Sequence, residues 1–366
     1  MNEQYIALSL SINNSRDRDY IVQTGMGYDG VVLLELPNNK TCTGSLLWSG
    51  KHILTAANCF QDHNFQPDPT TVTVIFKLTL GTARLEAKEV FIHPQWNNST
   101  NNDNDNDIAI IELKDVAPTT AERYSIYRRS DEVGQIFTRV GYGRKGTGVQ
   151  GEISGDRTHQ KRFGGNRYDV LREELVQPEL NTRIGSDKQL VDDFDGGLHD
   201  ALEEALVQPE LNTGIESGKQ LVYDFDSGLR RNDALGKEYS LHGLGIMGYD
   251  TGTSVGLLGD LSLETGRIYE AGSTSGDEGS PAFIDGQIAG IASSGRRSTL
   301  PEVDITPNKD SSFGEIFFDT RVSAYADFID EKVNQPNEDV FLLQTGLGLV
   351  LLGLMVGAIA TRIFRK

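Results

Sequence analysis

The sequence predicts an all-β fold closed by a late α-helix and followed by one membrane-spanning helix. Three observations predict it. Short apolar runs bounded by Gly, Asn, Asp or Ser recur along most of the 366 residues, as many short strands joined by tight turns require. One stretch alternates: Val72, Val74, Phe76, Leu78 and Leu80 are set against Thr71, Thr73, Ile75, Lys77 and Thr79, a period of two with Ile75 as its single apolar outward position. Finally, 340–361 is apolar and uncharged, matching the roughly twenty residues a helix needs to cross a bilayer core.

The elements follow in order. Val31-Val-Leu-Leu-Glu-Leu36 is a first strand candidate, then the alternating stretch, then Ile108-Ala-Ile-Ile-Glu-Leu113, 136–140 and Gln287-Ile-Ala-Gly-Ile-Ala292. Val322, Tyr325, Ala326, Ile329 and Val333 fall at helical spacing after Asp319 and Thr320, both capping candidates. This helix is expected to pack on the sheets ahead of a polar linker at 334–339. The apolar span comes next, and its Gly353-Leu-Met-Val-Gly357 is ordinary glycine content for such a helix. Arg362, Arg365 and Lys366 follow at once, and basic residues favour the cytoplasmic side. The expected topology is therefore a single-pass membrane protein with a cytoplasmic tail at 362–366 and the globular part outside. Residues 1–10 carry no basic start and long apolar run. Either an amino terminus lies further upstream, which the orientation favours, or the chain is tail-anchored from the cytosol.

A net charge of -19 excludes nucleic acid as a partner, because phosphate binding needs clustered Lys and Arg. Cys42 and Cys59 are the sole cysteines. A lone pair suggests one disulfide made outside the cytoplasm, with two reduced buried thiols as the alternative. Leu175-Val-Gln-Pro-Glu-Leu-Asn-Thr182 recurs as Leu206-Val-Gln-Pro-Glu-Leu-Asn-Thr213, and 19 of 24 positions match at an offset of 31. Two copies are too few for a solenoid, so the segment reads as a tandem duplication in an acidic surface insertion at about 172–232. No cofactor or metal is expected. Asp193, Asp195, Asp224 and Asp226 offer oxygen ligands to Ca²⁺ as an alternative, but no bidentate glutamate stands at a required spacing.

Several motifs then align with one family. Thr41-Cys-Thr-Gly-Ser-Leu-Leu47 leads to Ile53-Leu-Thr-Ala-Ala-Asn-Cys59, Asp107-Ile-Ala-Ile-Ile-Glu-Leu113 follows His93-Pro94, and Gly141-Tyr-Gly143 comes next. Later stand Gly276-Asp277-Glu278-Gly279-Ser280-Pro281 and Ser293-Ser294-Gly295. In this order, over about 25–333, they resemble the trypsin-like serine peptidases. Lys161-Arg-Phe-Gly-Gly-Asn-Arg-Tyr-Asp169, Tyr223-Asp-Phe-Asp-Ser-Gly228, Ser312-Phe-Gly-Glu315 and Asp319-Thr-Arg-Val322 are similar to bacterial members, many of which end in a sorting helix. A plain membrane anchor fits this tail as well.

The resemblance implies two six-stranded barrels within 21–333, after an arm at 1–20, and a Cys42–Cys59 disulfide. It also implies where the chemistry would sit. The triad histidine position holds Asn58, the aspartate position keeps Asp107, and the serine position holds Glu278. An amide nitrogen is no base near neutral pH, and a carboxylate is a poor replacement for an activated hydroxyl. His52, His63, Ser275 and Ser280 lie near these positions but belong to strand or loop. Backbone N–H groups of Gly276 and Glu278 occupy the oxyanion-hole places, where the Glu278 carboxylate is expected to turn, unless it accepts from the Asn58 amide. Gly272, Ser293 and Gly295 line the specificity pocket, with Gly272 at its base in place of the acid that selects Lys and Arg. Asp277 matches the aspartate that pairs with a freed amino terminus, for which Ile21-Val22 is a weak candidate after Tyr20. The expected function is a membrane-anchored, inactive peptidase homologue that binds a peptide or protein in the old groove. A working serine endopeptidase and a degenerate gene product are the alternatives.

Overall fold

The computed structural model describes residues 11–12, 20–60, 68–96, 106–155, 159–175, 218–226, 231–239, 241 and 271–334. The chain divides into two compact units, Met1–Ala326 and Asp327–Lys366.

In the first unit, β2 (Val31–Glu35), β3 (Thr41–Leu46), β4 (His52–Thr55), β7 (Ala109–Leu113), β6 (Gly81–Ile92) and β5 (Thr73–Leu78) close into a barrel in that order. Every pair is antiparallel, so short turns suffice to join sequential strands. Alternate side chains fill the interior, among them Val32, Leu34, Ile53, Val74, Phe76 and Ile111. The alternating stretch stops at Leu78. Leu80, expected to point inward, is 91% exposed because it sits in the tight turn before Gly81, whose φ is +124°. Ile75, expected to point outward, is buried together with its cross-strand neighbour Leu33. That part of the barrel is therefore covered on both faces. Cys42 of β3 is bonded to Cys59, with Cα atoms 6.2 Å apart.

A second sheet runs β11 (Arg162–Arg167), β8 (Ile136–Gly141), β15 (Pro281–Ile284), β16 (Gln287–Arg297), β17 (Glu315–Arg321), β13 (Gln220–Phe225), β12 (Val170–Leu171). It has seven strands where six are expected, because β11 and β12 are one strand bent at Tyr168-Asp169. The bent strand pairs with β8 on one side and β13 on the other, so the sheet returns on itself. Asn166 Nδ2 donates to Asp224 O at 2.8 Å across this seam. Inside lies a buried ion pair between Arg139 and Asp319, with the Tyr168 hydroxyl donating to the same carboxylate. Such a pair is tolerable in a core only when further hydrogen bonds surround it; Arg139 Nη1 also donates to Ser280 O at 2.9 Å. A small third sheet joins β10 (Gly151–Glu152), β9 (Gly146–Thr147), β1 (Ser11–Ile12) and β14 (Ala271–Gly272).

Two sequence expectations need correction. Asp319 and Thr320 do not cap a helix: both are buried in β17, where Asp319 meets Arg139 and Thr320 Oγ1 donates to Asp107 O. A single 3-10 turn, Val322–Tyr325, separates that strand from helix α2, Ala326–Asn334, on which Ile329 and Val333 are buried. The acidic insertion does not extend through 232, since 220–225 is strand β13 with all six residues buried. Asp224 also has a structural task, accepting from Ala234 N and Leu235 N, both at 3.0 Å, at the start of helix α1, Ala234–Tyr239. Asp193 and Asp195 lie outside the described residues, as do His63, the repeat residues 176–217, 335–339, the apolar 340–361 and 362–366. Among the described residues no three His, Cys, Asp or Glu gather as metal ligands, and no helix is long and apolar enough to cross a membrane.

Candidate active site

Asn58 lies in the 3-10 turn Ala57–Phe60 that follows β4, and Asp107 lies just before β7. Because Thr55 pairs with Ala109, the antiparallel ladder sets the two residues side by side. Asn58 N donates to Asp107 Oδ1 at 2.7 Å and Asn58 Nδ2 to Oδ2 at 2.9 Å. The amide also donates to Ser293 O at 2.8 Å, and Ser293 Oγ to Asp107 Oδ2 at 2.5 Å. Burial pushes the Asp107 carboxyl up to about 7, against Ser293, Asn58 and Ala57 donors that favour its charged form. Asn58 Oδ1 is buried without a partner among the described residues. Every polar hydrogen of the amide is thus turned toward acceptors, and its nitrogen has no lone pair to take a proton.

Glu278 sits in the loop between β14 and β15. Gly276 and Gly279 give this loop its shape at φ +99° and +79°. A Cβ on Gly279 would come within 2.5 Å of Thr43 O and 2.7 Å of Ala56 N, so only glycine lets the loop seat on the first barrel. Thr43 N donates to Glu278 O at 3.0 Å. The Glu278 side chain folds back, and its Oε2 accepts from Gly276 N at 2.7 Å while its own N–H also faces the carboxylate. Burial pushes this carboxyl upward; those two N–H groups and the Lys40 ammonium oppose the shift, and Glu152 adds to it. Of the two expected arrangements, the carboxylate in the loop's backbone donors is the one present. The Asn58 amide goes to Asp107 and Ser293 instead.

Beneath the loop, Asp277 is fully buried. It accepts from Gly143 N at 2.8 Å and from Thr274 N and Thr274 Oγ1, each at 3.0 Å, and burial pushes it up to about 6. A Cβ on Gly141 or Gly143 would fall 2.0 or 2.4 Å from this side chain, which explains both glycines around Tyr142. Ile21 and Val22 are engaged elsewhere, Ile21 bridging to Arg162 and Val22 N donating to Lys161 O. Ser11-Ile12 is the segment that pairs beside Ala271-Gly272.

Asn58, Glu278, Ser293 and Gly295 share a cleft of about 270 Å³, and Glu278 also borders a neighbouring cleft of about 570 Å³ with Lys40, Tyr142 and Arg144. Gly272 is not on the open surface; it lies under the ring of Phe317. His52 is held by Ser49 Oγ at 2.8 Å within β4, and Ser280 is buried against Arg139. Three participants carried no sequence signal: Phe317 in the cleft floor, Lys40, whose Nζ donates to Asn58 O at 2.7 Å, and Glu152, which accepts from Ser275 N at 2.9 Å.

Asn58, Asp107 and Ser293 thus form one hydrogen-bonded cluster beside a loop whose backbone donor meets a carboxylate. Residues 23–165 match the family model described as Trypsin. That match covers the first barrel, Asn58 and Asp107 and stops before the Glu278 loop. Among solved structures, the chain resembles neuropsin, a serine protease expressed in the limbic system of mouse brain, at 14% identity and a TM-score of 0.48 over 86% of this chain and 99% of that one. No curated protein matches the chain.

Proposed function

We propose that the protein is a membrane-anchored, extracytoplasmic peptidase homologue that does not hydrolyse peptide bonds and binds a peptide or protein in its cleft. The observation that carries this reading is the Glu278 carboxylate on Gly276 N. Acyl transfer needs an activated nucleophile, a base beside it and backbone donors open to the developing oxyanion. Here the nucleophile position supplies an anion that takes those donors itself, in a charge-assisted bond stronger than a carbonyl would make. The base position supplies an amide whose nitrogen already donates to Asp107 and Ser293. The disulfide supports an oxidising compartment, and the apolar 340–361 with its basic end supports an anchor.

A fluorophosphonate probe and a casein assay test the inactive reading. The unmodified protein is expected to show neither labelling nor turnover, and clear labelling would overturn it. Alkaline carbonate extraction of membranes tests the anchor, with the protein expected in the pellet.

A further inference from the structure

Phe317 lies on β17 directly across from Gly295 of β16. Its ring is 3% exposed and stacks on Tyr223, with centroids 5.4 Å apart and planes 19° from parallel. Tyr223 is itself held at its hydroxyl by Ser273 Oγ at 3.0 Å. A Cβ on Gly272 or on Gly295 would each come within 2.9 Å of the Phe317 ring. Two glycines therefore leave a slot, and the chain's own aromatic ring fills it. What stays open is the cleft of about 270 Å³ lined by Phe317, Ser293, Ser294 and Gly295, with Lys309 and Asp310 also at its edge. This lies below the roughly 300–1,000 Å³ of sites that enclose drug-sized ligands.

We propose that Phe317 sets the size limit of this cleft: a ligand chain lying along Ser293–Gly295 enters with a glycine-, alanine- or serine-sized side chain, and Lys, Arg, Phe and Tyr are excluded. The proposal rests on the peptide-binding reading above for its ligand class, but the occlusion itself does not. A long side chain would have to displace a ring fixed on Tyr223, whereas a small one needs no movement. Seen this way, both glycines make room for Phe317, and of the two Gly295 alone borders the open cleft.

The test uses the full chain in detergent micelles. Binding of indole and benzamidine is measured by ligand-observed NMR for the parent, Phe317→Ala and Phe318→Ala. Phe318 removes a comparable ring from the cluster with Val170, Val222 and Ile316, outside the cleft. Phe317→Ala is expected to bind the aromatic probes at least roughly tenfold more tightly than the other two, the scale of discrimination a pocket's shape supplies. Should Phe317→Ala fail to fold, Phe317→Leu is expected to show a smaller gain in the same direction. In parallel, the parent is titrated with peptides differing at one residue, where alanine is expected to bind and phenylalanine or lysine at least roughly tenfold less. Saturable aromatic binding by the parent, or a folded Phe317 variant with no gain, overturns the proposal. If no peptide binds the parent, the peptide reading falls while the aromatic probes still decide the role of Phe317.

Discussion

Asn58 and Glu278 behave differently within the site. On the first barrel, Asn58 keeps the contacts of its neighbourhood: its backbone and amide nitrogens hold both oxygens of Asp107, and the turn that carries it is tied to β3 by Cys42–Cys59. The amide nitrogen there is a donor committed to Asp107 and Ser293. On the loop, Glu278 makes a new contact, placing its carboxylate on Gly276 N. On the inactive reading proposed above, the first position lacks a base and the second occupies the backbone donors, so altering one leaves the other in place.

That asymmetry gives the largest expected effect. Asn58→His alone restores a base with no nucleophile beside it, and Glu278→Ser alone frees the backbone donors with no base. In a triad, losing one member costs nearly as much as losing all, on the order of a million-fold in kcat for subtilisin. Both single variants are expected to stay at background in fluorophosphonate labelling. The double variant is expected to exceed them by roughly a thousandfold or more. Labelling of a single variant equal to that of the double would show that the two positions do not act as a unit.

Motifs with covalent or backbone constraints were legible in the sequence, and side chains that merely fill space were not. The cysteines are joined covalently, Gly141, Gly143 and Gly279 each answer a close approach that a Cβ would block, and Gly276 answers a positive φ. Phe317 is one of two adjacent aromatic residues in an apolar strand, and alternation cannot say which face borders a cleft. The repeat misled for a related reason: Tyr223-Asp-Phe-Asp226 matches its first copy closely, yet it lies in or beside a core strand. Sequence similarity between copies carries no information on burial, and Asp224 is buried because the start of α1 needs an acceptor. Asp319 looked like a cap because an acid before a helical pattern usually is one. Its partner, Arg139, is 180 residues away in sequence.

The next effects are on stability. Replacing both Cys42 and Cys59 by alanine frees a loop of 17 residues in the unfolded chain, at a cost of about 2–5 kcal/mol. Thermal unfolding of the double alanine variant is expected several degrees lower, and an unchanged midpoint would mean the bond does not restrain the Asn58 turn. Gly279→Ala costs less, on the order of 1–3 kcal/mol for a strained positive-φ position, and the contacts with Thr43 O and Ala56 N add to it. Gly286, with a φ of +74° and nothing near a Cβ, is the control and isolates the strain from the close approach. A Gly279 variant no less stable than the Gly286 one would show that the loop does not seat tightly on the first barrel.

The smallest effect is the pH dependence, and it separates the two regions once more. Burial raises Asp107 to about 7 and Asp277 to about 6, and it raises Glu278 as well. Between the ordinary carboxylate range and those values, the native protein holds protons that the unfolded chain has already released. Stability therefore falls as pH rises through this window and is lowest above about 7. Melting midpoints are expected to rise from pH 8 to pH 5. Glu278→Gln keeps an acceptor for Gly276 N and removes one raised carboxyl, so it should gain on the parent as pH rises and flatten the slope. Asn58→Ala leaves Asp107 buried with fewer donors, which raises that carboxyl further and should steepen the slope. Opposite changes in slope would show that the loop position adds a buried charge while the barrel position stabilises one; equal slopes in both variants would break the distinction.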